Sequence, residues 1–137
     1  PDDLDIIVAG APDDPARNPD YAALLDLPRV RFEAAAFERL ARLSRAAKIV
    51  VSVDTAAMHL SVAMGAPTLC LASAAYVGEI VPYAETITPP NARFVYTPMD
   101  CAGCLGSCIH PPERGAFPCV ARLPRATIMG EIARLLA

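Results

Sequence analysis

The stretch from Ile49 to Ala72 constrains this chain more than any other, because its hydrophobic period changes twice within a few residues. Ile49-Val-Val-Ser-Val53 is apolar apart from Ser52 and rich in β-branched side chains, the pattern of a strand buried on both faces of a parallel sheet. Asp54 and Thr55 follow where that strand would end and a helix begin. The helix opening at Ala56 should stop at Gly65, a good left-handed terminator, and Pro67 then opens a second buried strand, Thr68-Leu-Cys-Leu-Ala72. Strand, helix and strand form a βαβ unit, which joins parallel strands. Ligands of open α/β sheets collect at the carboxyl ends of the strands, where a helix N-terminus offers unpaired N–H groups and a positive dipole end. A phosphate-bearing ligand suits the junction at Asp54 and Thr55.

The alternation continues on both sides. Ile6-Ile-Val-Ala-Gly10 reads as a strand, Ala11 to Pro19 as a Pro/Asp-rich loop, Tyr21 to Leu27 as a short helix, and Val30 to Phe32 as a strand. Phe37, Leu40, Ala41 and Leu43, with Arg39, Arg42 and Arg45 between them, make an amphipathic helix. After a helical or irregular stretch through Tyr83, Arg93-Phe-Val-Tyr-Thr97 gives a fifth strand, followed by a cysteine-rich loop at 99–124 and a closing helix at 125–137. The pattern specifies an α/β fold, Rossmann-like, with a mainly parallel sheet and flanking helices. Its 137 residues fit one domain spanning 1–137. The opening Pro1-Asp-Asp-Leu-Asp has no leader pattern and runs straight into a strand, which we read as a cut or processed start.

Charge removes one class of partner. The formal net charge is −3, and eleven of the twelve basic residues are Arg, scattered along the chain without the basic patch of a nucleic-acid binder. The apolar region from Ile49 to Val81 is broken by Asp54, His59 and Gly65-Ala66-Pro67, so it reads as core and not as a membrane span.

The run from Asp54 to Leu71, D-T-A-A-M-H-L-S-V-A-M-G-A-P-T-L-C-L, resembles the D-[TS]-[GA]-x-x-H-L-A-x-A-x-G-x-P signature of the glycosyltransferase family 9 heptosyltransferases. The resemblance implies the C-terminal half of a GT-B fold and a donor site for an ADP-sugar, usually ADP-heptose. In that site Thr55 and the N–H groups of Ala56 and Ala57 would face the diphosphate, Asp54 would accept from sugar or ribose hydroxyls, and His59 would donate to a phosphate oxygen. Capping by Asp-Thr and local bonding by a helical His remain the bland alternatives. Ala56 departs from the family, which often has Gly there, so backbone approaches a ligand less closely. No catalytic residue is assigned, since the family's base comes from an N-terminal acceptor domain, and the chain alone should be inactive. The resemblance further implies a bacterial cytoplasmic enzyme of lipopolysaccharide biosynthesis acting on a glycan or protein acceptor, with peripheral placement at the inner membrane left open. The rival reading is a non-catalytic α/β module that presents its cysteine loop to a protein partner.

Cys101, Cys104, Cys108 and Cys119 have the spacing C-x2-C-x3-C-x10-C, with glycines at Gly103, Gly106 and Gly115 for tight turns. This favours one structural zinc or iron with four thiolate ligands over two disulfides or free thiols, because disulfides need an oxidising compartment. Four protein ligands leave no position open for catalysis. His110, flanked by Pro111 and Pro112, reads as a loop residue that could substitute for a ligand. Autotransporter heptosyltransferases are similar in holding iron in such a loop. Cys70, alone in an apolar strand, reads as a buried inert thiol.

Overall fold

The computed structural model describes residues 4–137, so the first three residues of the start read as cut lie outside it. The chain divides into two compact units, Pro1–Arg42 and Leu43–Ala137. Among the described residues the strands β-pair in parallel, as expected of a mainly parallel arrangement, and the pairings are made in two sheets and not one.

In the first unit β1 (Ile6–Gly10) pairs with β2 (Val30–Ala34), Ile6 opposite Val30 and Gly10 opposite Ala34. The connection between them contains α1 (Asp14–Arg17) and α2 (Asp20–Leu25). The segment 11–19, read as loop, thus holds a helical turn. Pro15 lies in its first turn, where no N–H is missed, and the Asp14 carboxylate accepts the Ala11 N–H at 2.8 Å. A Cβ on Gly10 would lie 2.5 Å from that carboxylate, so a larger residue there would push the Asp14 side chain off its bond to Ala11. Glu33 accepts from Arg39 Nε at 2.5 Å and Arg31 Nη1 at 2.6 Å, and these two guanidinium groups hold its carboxyl below the usual range. α3 (Phe37–Ala46) runs through the boundary between the units.

The second unit carries β3 (Val50–Val53), α4 (Ala56–Ala63), β4 (Thr68–Leu71), β5 (Ala92–Val95), α5 (Pro118–Ala121) and α6 (Arg125–Leu136). Its sheet has the order β3-β4-β5, with Val50 opposite Thr68 and Thr68 opposite Ala92. Central β4 is the strand buried on both faces, with Thr68, Leu69 and Cys70 all nearly inaccessible. The expectation of full burial for the Ile49–Val53 strand is corrected: Val51 is 46% and Val53 51% exposed. β3 is an edge strand of this sheet, so its apolar run exceeds what its neighbours cover.

Met58 and Val62 of α4 pack with Cys70, Ala72, Val81 and Ala92, and Tyr76, Tyr83 and Phe94 close over that cluster. Gly65, at φ +77°, ends α4 as expected. The Ala66 N–H reaches the Ser61 carbonyl at 3.1 Å and the Gly65 N–H reaches Val62 at 3.0 Å, the paired bonds of a Schellman terminus. Asn91 Nδ2 donates to the Val62 and Ala66 carbonyls at 3.2 and 2.7 Å, so the loop before β5 finishes the same helix end. A buried Ser44–Ser61 hydroxyl pair, 2.9 Å apart, ties the end of α3 to α4.

Candidate functional site

Asp54, Ser73 and Thr97 follow the carboxyl ends of β3, β4 and β5, so three successive strand exits deliver polar side chains to one edge of the sheet. The half-buried Asp54 carboxylate accepts from Ser73 Oγ at 2.8 Å. Thr97 Oγ1 is buried and has no hydrogen-bond partner among the described residues.

Thr55 is the N-cap residue of α4 by backbone, with φ −129° and ψ 171°, yet its hydroxyl does not cap the helix. It turns back to the Val53 carbonyl at 3.5 Å, which is at best a weak bond. The Thr55 carbonyl already takes the N–H groups of Met58 and His59, at 3.0 and 3.3 Å. That leaves the N–H groups of Ala56 and Ala57 without a hydrogen-bond partner among the described residues, at the positive end of the helix dipole. Thr55 and Ala56 are exposed and Ala57 is half-buried. His59, one turn further on, is also half-buried, and its Nδ1 lies 2.6 Å from the Tyr83 hydroxyl. Burial, and secondarily the Cys70 thiol, raise the Tyr83 hydroxyl above its ordinary value.

The residues read from the sequence as a donor site therefore share one strand-helix junction. Ser73 and Tyr83 extend it, and neither was legible beforehand. Each lies many residues from the partner it holds, so only a signal linking β4 and the loop after it to the α4 junction could have found them.

The cysteine segment is built differently. All five cysteines are free thiols, a state that the sequence reading set beside disulfides as the alternative to a metal. Burial raises the Cys101 thiol above its ordinary value, and the nearby Cys108 and Cys104 raise it further. The four sulfurs nevertheless do not form the closed tetrahedral set that an ion held by four cysteines requires, in which ligands at about 2.3 Å from one metal lie within about 4 Å of each other. Among the described residues, the group of metal-ligating side chains whose donor atoms all fall within 4.8 Å is Asp100, Cys101 and His110. His110 Nε2 lies 2.7 Å from Asp100 Oδ1, and this contact holds the Asp100 carboxyl below its usual range. Cys119 is buried in α5.

Segment 99–124, read as a loop, contains α5 and ordered turns. The N–H groups of Gly103 and Leu105 donate to the Ala74 and Ala75 carbonyls at 2.9 and 3.0 Å, docking the loop on the 3-10 turn Ala74–Tyr76 after β4. Glu113 and Ala116 exchange backbone hydrogen bonds of 2.8 and 3.0 Å around Arg114 and Gly115, both at positive φ, as a tight two-residue turn demands. Arg122 Nε reaches Glu113 at 3.1 Å, with a second Nη2 contact beside it.

A parallel α/β layout that gathers polar residues and free helix N–H groups at the carboxyl ends of its strands defines a Rossmann-like half of a GT-B fold. Residues 12–98 match the sequence model of glycosyltransferase family 9 (heptosyltransferase), and the chain belongs to that family. The match contains the Asp54–Leu71 signature and stops before the first cysteine of the cluster. No curated protein and no solved structure matches the chain. Among the described residues, no helix is long and apolar enough to cross a membrane.

Proposed function

We propose that this chain is the donor-binding part of a glycosyltransferase that moves a sugar, heptose by family likeness, from an ADP-sugar to an acceptor hydroxyl. The observation that carries the reading is the free N–H pair of Ala56 and Ala57 at the start of α4, inside the family signature and flanked by Asp54 and His59. In the reaction the acceptor oxygen attacks the anomeric carbon, the bond to the diphosphate breaks, and ADP leaves with the bonding pair. The helix N-terminus and a proton on His59 would stabilise the charge that develops on that leaving group. Asp54, steadied by Ser73, would accept hydroxyl hydrogens of the sugar or ribose. The base that deprotonates the acceptor would come from an N-terminal domain of the full-length enzyme, and the 137-residue chain alone would be inactive. A bacterial, cytoplasmic setting in lipopolysaccharide biosynthesis follows from the same likeness.

A structural zinc or iron at Cys101, Cys104, Cys108 and Cys119 belongs to the proposal as a stabiliser of the loop. The proximity of Cys101 to Cys104 and Cys108 supports it, and Cys119 would have to be drawn in from α5. No step of the transfer runs through that metal.

Calorimetry on the full-length enzyme tests the donor site. ADP should bind more tightly than AMP, and Thr55→Val and His59→Ala should each lose about 1–3 kcal/mol of ADP affinity, the range of a charge-assisted hydrogen bond. Unchanged affinity in both would return these residues to local structure and favour the module that presents its loop to a partner.

A further inference from the structure

Tyr83 stands twenty-four residues after His59 in sequence, yet its hydroxyl lies 2.6 Å from His59 Nδ1 and 3.8 Å from the Met58 sulfur. The two rings stack at a centroid distance of 5.6 Å and an interplanar angle of 28°. On its other side the Tyr83 ring meets Phe94 edge-on at 5.1 Å. The backbone around it is held as well. Glu79, Ile80 and Val81 all donate to the Tyr76 carbonyl, at 3.1, 3.0 and 3.2 Å, and Thr88 Oγ1 donates to the Tyr83 carbonyl at 3.0 Å. The hydroxyl is thus delivered to Nδ1 from a fixed platform, while Nε2 bonds to none of the described residues.

We propose that Tyr83 is a positioning residue for the donor site, fixing the His59 ring so that Nε2 carries a proton toward the phosphate whatever the charge on the imidazole. The inference rests on the donor-site reading of His59 given above. When the imidazole is neutral, the tyrosine O–H donates to Nδ1 and the ring proton is confined to Nε2. When it is protonated, Nδ1–H donates to the tyrosine oxygen, the hydroxyl hydrogen swings to the Met58 sulfur, and Nε2 keeps its proton. A thioether is a weak acceptor, adequate for a hydrogen that must only be parked. The result is a histidine that offers a donor to an anion in both states, without the tautomer mixture of a free imidazole.

The test uses the full-length enzyme with nitrogen-15 labelled histidine and ADP as the probe. In ligand-free wild type the neutral His59 should show the Nε2–H tautomer. In Tyr83→Phe, which keeps the ring and its contacts with Phe94, the tautomers should mix and the Kd for ADP should rise about 3- to 10-fold, the loss of one positioning hydrogen bond. His59→Ala should raise it by at least as much, and adding Tyr83→Phe to His59→Ala should change nothing further, because the tyrosine acts through the histidine. If His59→Ala leaves ADP binding unchanged, the donor role of His59 fails and this inference with it. If His59→Ala weakens binding while Tyr83→Phe leaves both tautomer and affinity at wild-type values, the inference alone is overturned. An equal loss from Tyr83→Phe in the His59→Ala background would mark Tyr83 as ordinary packing and overturn it too.

Discussion

The βαβ segment from Val50 to Leu71 and the cysteine segment from 99 to 124 lie in the same compact unit but are held by different forces. The first is set by burial: Met58, Leu69 and Cys70 are inaccessible, and α4 closes with a full Schellman terminus. The second buries Pro118 and Cys119 of α5 but leaves Leu105 and Ile109 exposed at 59% and 75%, and is otherwise held by turns, by two bonds to the Ala74 and Ala75 carbonyls, and by an exposed ion pair. Burial contributes cooperatively, because each apolar side chain shares its neighbours with others, whereas a turn or a surface pair acts nearly alone. The sheet should therefore resist perturbations that open the loop.

Thiol labelling sets the two regions furthest apart. Burial first, and the Asp54 carboxylate second, push the Cys70 thiol up to about 12, and it has no accessible surface. In protein stripped of metal by a chelator it should react with iodoacetamide only through opening of the unit, ~1,000-fold or more slowly than the partly exposed Cys104 and Cys108 if the unit has ordinary stability. Mass spectrometry over a time course checks this, and comparable rates would erase the contrast. Next in size is Met58→Ala, which should cost about 2–5 kcal/mol by leaving a cavity between α4 and β4. Leu105→Ala should leave the denaturant midpoint almost unmoved.

Metal content sharpens the comparison further. Elemental analysis should return about one equivalent of zinc or iron per chain, lost in Cys101→Ser, with the opening confined to 99–124 by hydrogen exchange. Loss of metal in Cys119→Ser with retention in His110→Ala would favour the four-cysteine set. The reverse pattern would favour Asp100, Cys101 and His110, and absence of metal in wild type would remove the ion from the account. The smallest effect concerns Glu113. The hydrogen bond from Arg122 holds its carboxyl below the usual range, so the pair stabilises the loop fully above the carboxylate's ordinary value. That contribution fades as pH falls through the lowered folded value. Limited proteolysis near 113–122 should accelerate over that acid window, and Glu113→Gln should flatten the dependence.

Thr55→Val separates structure from binding within the site. An N-cap threonine normally contributes about 1 kcal/mol to its helix. Here its hydroxyl makes no cap bond, so the substitution should leave thermal stability nearly constant while ADP affinity falls. A large loss of stability would show that the hydroxyl caps the helix in solution.

The alternation of β-branched runs with helical periods determined by itself that the sheets are parallel, that Ile6–Gly10 and Thr68–Leu71 are strands, and that Gly65 ends α4, because each depends on local sterics or on a short-range period. The family signature likewise lies within one contiguous run. Tertiary structure alone decided which strand is central, leaving Val51 and Val53 uncovered on β3 and burying β4. It also decided that Ser73 reaches Asp54, that Tyr83 reaches His59, and that Cys101 sits nearer to His110 and Asp100 than to a full set of sulfurs. Those pairings join residues brought together by chain crossing and loop docking, and their geometry follows from packing that no local period encodes.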